Sequence, residues 1–288
     1  MNQDEIDEEQ KNLPPTIEDK LNAMQTFVDQ KDFVVIDNRR LDQNLSKNQI
    51  ALLCDRQRGV GADGLLAVEP AEKGADFKFR YYNADGGEAE MCGNGARCFG
   101  KYTAALMGEG TSLVTFETIA GTLSAQIIGD SVCIAMSEPF DLALHTDVKV
   151  EGLDAEVHVI NTGVPHVVVF VDDLENVDVL KHGAALRYHE HFSPAGTNVN
   201  FTQVLNNQHI AIRTYERGVE GETLACGTGM TACALIHHLL NDAGSPISVD
   251  VKGGETLEIG FVPESDKPFS GVTLTGPADF VFDGEISI

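Results

Sequence analysis

Cys92-Gly93-Asn94-Gly95 opens a segment whose twin, Cys226-Gly227-Thr228-Gly229, follows 134 positions later in a chain of 288 residues. Behind each tetrapeptide runs a stretch of alanines, leucines and long side chains without proline, so 93–107 and 227–240 read as helices. The second, with Met230-Thr231-Ala232-Cys233-Ala234-Leu235-Ile236, is apolar nearly all round and is expected inside a core. Each device carries a second cysteine, Cys98 or Cys233, and each follows an acidic approach, Gly87-Glu88-Ala89-Glu90-Met91 or Gly221-Glu222-Thr223-Leu224-Ala225. A repeat at nearly half the chain length points to internal duplication.

Outward from these helices the pattern is of short strands punctuated by turns. Asp32-Phe33-Val34-Val35-Ile36-Asp37 is an apolar run bounded by Asn38, and Phe77-Lys78-Phe79-Arg80-Tyr81-Tyr82 alternates before Asn83-Ala84-Asp85-Gly86-Gly87. Segments 113–116, 122–128, 131–136, 166–171, 199–204 and 210–215, and those after 246, read the same way. The predicted fold is α+β. Two pseudo-symmetric domains each wrap a mostly antiparallel curved sheet around one central helix, with the active site in the cleft between them. The expected division is an acidic, disordered extension over 1–20, one half from 21–136 plus 273–288, and a second half from 137–272.

Composition narrows the function classes. Forty-five acidic against 20 basic residues give a net charge of −25, which argues against neutralising phosphates or docking on anionic lipid. No window approaches a membrane span, and the first 20 residues, with seven acids, two lysines and Pro14-Pro15, lack the charge and apolar pattern of a secretory signal. The expectation is a soluble, cytoplasmic chain. Its six cysteines, at 54, 92, 98, 133, 226 and 233, are then expected as reduced thiols, with Cys54 and Cys133 as plain buried hydrophobes.

A thiol just before a helix feels the positive end of the helix dipole, which favours thiolate. The Gly-x-Gly backbone behind it offers free amides, a seat for a carboxylate. With two such devices face to face, one sulfur stands on each side of one α-carbon. A thiolate on one side can then remove the α-hydrogen while the opposite thiol returns a proton, inverting the centre. The amides stabilise the charge that develops on the carboxylate.

The stretches 88–98 (Glu88-Ala89-Glu90-Met91-Cys92-Gly93-Asn94-Gly95-Ala96-Arg97-Cys98) and 216–229, from Glu216-Arg217-Gly218 to Cys226-Gly227-Thr228-Gly229, resemble the two signatures of the diaminopimelate epimerase family. Asp32-Phe33-Val34-Val35-Ile36-Asp37, Gly59-Val60-Gly61-Ala62-Asp63-Gly64, Asn83-Ala84-Asp85-Gly86, Pro165-His166 and Gly196-Thr197-Asn198-Val199 extend the likeness in the family's order from about residue 24 onward. The resemblance implies a cofactor-independent, homodimeric enzyme that interconverts LL- and meso-diaminopimelate on the route to lysine and peptidoglycan. It implies Cys92 and Cys226 as the acid–base pair, with His166 and Glu216 supporting their proton transfers. Gly93, Asn94, Gly227 and Thr228 would hold the reacting carboxylate. Asn83, Asn198, Glu216 and Arg217 would hold the rest of the substrate, Arg217 pairing with the distal carboxylate.

The chain departs from that pattern at three places. Lys31 stands where a substrate-facing Asn is expected, Val164 where another Asn is common, and Gly64 where some members have Gln. Lys31 and Val164 keep open a related two-thiol racemase or isomerase acting on another amino or hydroxy acid. A catalytically silent homologue serving as a binding protein is the alternative from another class. His189-Glu190-His191 and His237-His238 raise the question of a metal, but adjacent helical histidines diverge and no Cys-x-x-Cys accompanies them. Neither device holds a third glycine of the dinucleotide type, a phosphate-binding Gly-Lys-Ser/Thr, or a lysine for a pyridoxal Schiff base, so no cofactor is expected.

Overall fold

The computed structural model describes residues 20–28, 31–89, 92–119, 121–265 and 267–287. The expected extension over 1–20 falls outside them but for Lys20, as do Glu90 and Met91 of the quoted motifs. The first half runs β1 (Lys20–Val28), β2 (Lys31–Asp37), α1 (Lys47–Cys54), β3 (Gly64–Pro70), β4 (Phe77–Asn83), β5 (Glu88–Ala89), α2 (Gly93–Met107), β6 (Leu113–Thr118), β7 (Gly121–Ile128) and β8 (Ser131–Ala135). The same series then returns: β9 (Phe140–Thr146), β10 (Val157–Asn161), β11 (Pro165–Phe170), α3 (Val179–Arg187), β12 (Asn198–Asn206), β13 (His209–Glu216), β14 (Gly221–Thr223), α4 (Gly227–Asn241), β15 (Ile247–Val251), β16 (Thr256–Pro263) and β17 (Phe269–Pro277). The last strand, β18 (Asp279–Ser287), lies against β1.

The duplication is explicit in the pairing. In the first half β1 is antiparallel to β2, β2 parallel to β3, β3 antiparallel to β4, and β4 parallel to β6. In the second half β10 is antiparallel to β11, β11 parallel to β12, β12 antiparallel to β13, and β13 parallel to β15. The hairpins β6–β7–β8 and β15–β16–β17 then match. β8 and β17 pair antiparallel and join the two halves. This is the two-domain, mostly antiparallel α+β fold expected from the sequence. Each sheet closes on its helix: α2 sits in a cluster with Phe33, Leu66, Phe79, Phe116 and Ile134, and α4 in one with Val168, Ile212, Val249, Ile259 and Leu274.

The two long helices begin at the expected residues, and the second extends one residue past the expected end. Residues 229–237 of α4 are all buried, as an all-round apolar helix requires. Two shorter helices were not anticipated. α1 begins at a capping box, in which Ser46 accepts from the Gln49 amide and Gln49 reaches back to Ser46. α3 is capped by Asp178 and packs Gly183 against Tyr215, where a Cβ would come within 2.5 Å. Cys54 is buried as expected, whereas Cys133 is only half-buried. Strand alternation explains the difference, because Val132 and Ile134 on either side of Cys133 point inward.

Candidate active site

Cys92 and Cys226 occupy matching places, each the N-cap of its half's central helix. Both have extended backbones (φ −141° and −138°), and neither side chain caps its own helix, so both thiols are free for other contacts. The first intrahelical bonds run from Ala96 N–H to the Cys92 carbonyl and from Met230 N–H to the Cys226 carbonyl. The amides of 93–95 and 227–229 therefore make no backbone hydrogen bond within their helices, and that of Gly229 acts on the Cys226 sulfur. α2 and α4 also contact each other.

The second glycine of each device is required by close packing. A Cβ on Gly229 would stand 2.4 Å from Oδ1 of Asn200 and 3.3 Å from the Cys226 sulfur. A Cβ on Gly95 would stand 3.2 Å from Leu66 Cδ2. Gly93, by contrast, faces open space within 4 Å.

Around Cys226 the polar groups are tightly linked. The Thr228 hydroxyl lies 3.6 Å from the Cys226 sulfur and 2.9 Å from Nε2 of His166. The Asn200 amide nitrogen meets Nδ1 of His166 at 3.1 Å and donates to the Val167 carbonyl, while its oxygen accepts from Thr214. Thr162 donates to the Thr228 carbonyl. Asn198 accepts from the Arg217 backbone amide and donates to the Pro165 carbonyl, tying two candidate ligands together. Burial, reinforced by the Arg217 charge, holds the His166 imidazole down at about 3, so the ring is neutral. Burial pushes the Cys226 thiol up to about 11, and Glu216 pushes the same way, while Thr228, the Gly229 amide and Lys31 pull it down. Lys31, the departure from the expected Asn, is thus electrostatically part of the Cys226 surroundings.

The Cys92 side is more apolar. Tyr81 and Cys92 both pack on the Phe33–Leu66 cluster, and the Tyr81 hydroxyl donates to Oδ1 of Asn83 at 2.8 Å. Burial and the adjoining Cys92 raise the Tyr81 phenol. Asn83 itself is exposed at the end of β4. The Asn94 side chain is buried and accepts from buried Arg97 at 3.3 Å.

The diaminopimelate epimerase family model matches residues 28–139 and 158–281. The chain belongs to that family. A diaminopimelate epimerase from Hydrogenobaculum sp. (strain Y04AAS1) is 42% identical over 269 residues, covering 89% of this chain and 95% of that one. The diaminopimelate epimerase of Aquifex aeolicus (strain VF5) is also 42% identical, covering 89% and 94%. Among solved structures, a PhzF-family phenazine biosynthesis protein from Bacillus anthracis aligns with a TM-score of 0.68 at 16% identity, covering 93% of this chain and 99% of that one. A hydroxyproline epimerase from Agrobacterium vitis, with bound trans-4-hydroxy-L-proline, aligns at 0.67 and 16%, covering 95% and 94%. These likenesses carry the fold, and the epimerase-family relatives make this an isomerase of that family.

Within this epimerase-family chain, His166, Asn198, Glu216, Arg217, Gly227 and Thr228 gather around Cys226, and Asn83, Gly93 and Asn94 lie on the Cys92 side. Asn200, Thr214 and Tyr81 were not singled out from sequence. Asn200 was legible in one respect, because on a strand it shares a face with Asn198 two residues earlier. The two histidine pairs weighed for metal are engaged elsewhere: His189 Nδ1 accepts from the His191 amide, His237 bonds the Asn207 carbonyl, and His238 the Ala243 carbonyl. Another set, His145, Glu156 and His158, has donor atoms within 4.8 Å of one another. It is internally satisfied, with His145 Nδ1 on Glu156 at 2.7 Å and the His158 Nδ1 lone pair taken by the His145 amide. Among the described residues no helix is long and apolar enough to cross a membrane.

Proposed function

We propose that this chain interconverts LL- and meso-diaminopimelate by a two-thiol proton exchange at one α-carbon, supplying lysine and peptidoglycan precursors. The observation that supports the reading is the pair of free thiols, Cys92 and Cys226, each at the N-terminus of its half's central helix, with the two helices in contact. In one direction the thiolate of one cysteine removes the α-hydrogen, and the thiol of the other protonates the opposite face. In the reverse direction their roles exchange, so the pair titrates as a coupled unit. The amides of Gly93, Asn94, Gly227 and Thr228 hold the α-carboxylate and stabilise the enolate-like charge that builds on it. His166 and Glu216 tune the Cys226 side. Asn83, Asn198 and Arg217 hold the distal amino-acid end, with the Arg217 guanidinium on the far carboxylate. No step calls on a cofactor.

The reading includes a cytoplasmic homodimer in which each half of the chain supplies one thiol. Phe280, Val281 and Phe282 on β18 are all exposed, which supports a covering second copy. Turnover of stereopure LL-diaminopimelate by the reduced protein, without added cofactor, tests the reading. No formation of the meso isomer would overturn it. A second reading, a two-thiol racemase for another amino or hydroxy acid, is favoured by one observation, the Lys31 charge acting on Cys226 where a neutral amide was expected. A panel of stereopure substrates separates the two.

A further inference from the structure

We propose that Asn200 is a positioning residue that fixes the proton of His166 on Nε2 and thereby makes the Thr228 hydroxyl a hydrogen-bond donor to Cys226. The inference rests on the two-thiol reading and deepens it at one thiol.

Asn200 and His166 are wholly buried, and Thr214 is 2% exposed. The orientation of the Asn200 amide follows from its neighbours. One end lies 2.9 Å from the Val167 carbonyl, which can only accept, so that end is the NH2 group. Its other end then accepts from the Thr214 hydroxyl at 2.9 Å. The second hydrogen of the NH2 points at Nδ1 of His166, 3.1 Å away, so Nδ1 must present a lone pair. A neutral imidazole carries a single proton, and with Nδ1 bare that proton is on Nε2. Nε2–H donates to the Thr228 oxygen at 2.9 Å, and the Thr228 hydroxyl turns its own hydrogen to the Cys226 sulfur at 3.6 Å. The donors run in one direction from the core outward: Thr214, Asn200, His166, Thr228, then Cys226. In this state His166 cannot take a proton from the thiol. It acts through Thr228, stabilising the thiolate form of Cys226 against burial.

The device is one-sided. Asn200 pairs with Thr214 across β12 and β13 as Leu66 pairs with Tyr81 across β3 and β4, and His166 sits beside Asn198 as Phe33 sits beside Gly64. The first half therefore has Phe33, Leu66 and Tyr81 at the matching positions. Gly229 leaves room for Asn200 as Gly95 does for Leu66, since a Cβ on Gly229 would stand 2.4 Å from the Asn200 oxygen.

The test is heteronuclear NMR of the reduced wild-type protein labelled with 15N-histidine, with His166 assigned by its loss in His166→Gln. The expected result is a neutral ring protonated on Nε2 from pH 6 to pH 9. A ring protonated on Nδ1, or an imidazolium, overturns the proposal. Asn200→Asp replaces the donor by an acceptor, so the His166 proton moves to Nδ1 and the Thr228 hydroxyl turns to the ring. Alkylation of Cys226 by iodoacetamide at pH 8 should then slow about tenfold, as one hydrogen bond to a charged sulfur is worth, with Cys92 unchanged. Equal slowing of both thiols, or none, overturns it. Neither readout uses turnover. A wild-type chain that fails on diaminopimelate yet shows the Nε2 proton removes the proposed function and leaves Asn200 in its role. An active enzyme with the proton on Nδ1 does the reverse.

Discussion

Nε2 of His166 lies 2.9 Å from the Thr228 hydroxyl, which in turn stands 3.6 Å from the Cys226 sulfur. A buried histidine therefore reaches the thiol through a threonine, and the threonine is the second residue past the cysteine, in the first turn of α4. Thr228→Val keeps the shape and removes the hydroxyl. We expect kcat to fall about ten- to a hundredfold, the worth of one hydrogen bond to a charged group. Thermal denaturation should move little. Wild-type kcat in the valine variant would show that the hydroxyl has no part in proton transfer.

The neutrality of His166 has a signature in stability. Its folded pKa is held at about 3 against an ordinary 6.5, so between these values the unfolded chain binds the extra proton. The stability tied to a neutral ring is complete above pH 6.5. It is lost as pH falls below that value, by about 1.4 kcal/mol per pH unit. Urea midpoints at pH 7, 6 and 5 should therefore drop more steeply for wild type than for His166→Gln. Equal slopes would mean that the ring takes a proton in the fold.

Charges around Cys226 act in opposite senses. Lys31 favours its thiolate and Glu216 opposes it. Lys31→Asn should raise the thiol pKa and slow its alkylation at pH 8, while Glu216→Gln should lower the pKa and speed it. Site-resolved mass spectrometry of alkylated peptides reads both. Shifts of the same sign in the two variants would contradict this arrangement.

The glycines of the devices differ in what they tolerate. Gly229→Ala drives a methyl into the buried Asn200 oxygen and should cost about 1–3 kcal/mol, as overpacking does. Gly93→Ala enters open space and should stay within about 0.5 kcal/mol of wild type. Denaturant titration of both variants checks the contrast.

Much of this is legible in the sequence. The helices after Cys92 and Cys226 were marked by alanines, leucines and long side chains without proline, and their shared Cys-Gly-x-Gly entry disclosed the duplication. α1 was missed although Ser46 and Gln49 carry a capping-box pattern, because eight residues give little periodicity. α3 was missed because Gly183 weakens its helical pattern, and the glycine is there for Tyr215, a partner 32 positions away. The same limit applies at the candidate site. Cys92, Cys226, His166 and Glu216 could be named from motifs, whereas Asn200 and Thr214 owe their roles to register between β11, β12 and β13. Residue order alone does not give that register.

The central claim is that Cys92 and Cys226 act on opposite faces of one α-carbon. Its most direct test is α-deuterium incorporation during turnover of LL-diaminopimelate in D2O, for the reduced wild type and for Cys92→Ser and Cys226→Ser. The account predicts that early meso product from the wild type carries deuterium at the inverted carbon, and that both serine variants lose most of their epimerisation. Epimerisation without deuterium in the product, or full activity in either variant, would contradict it.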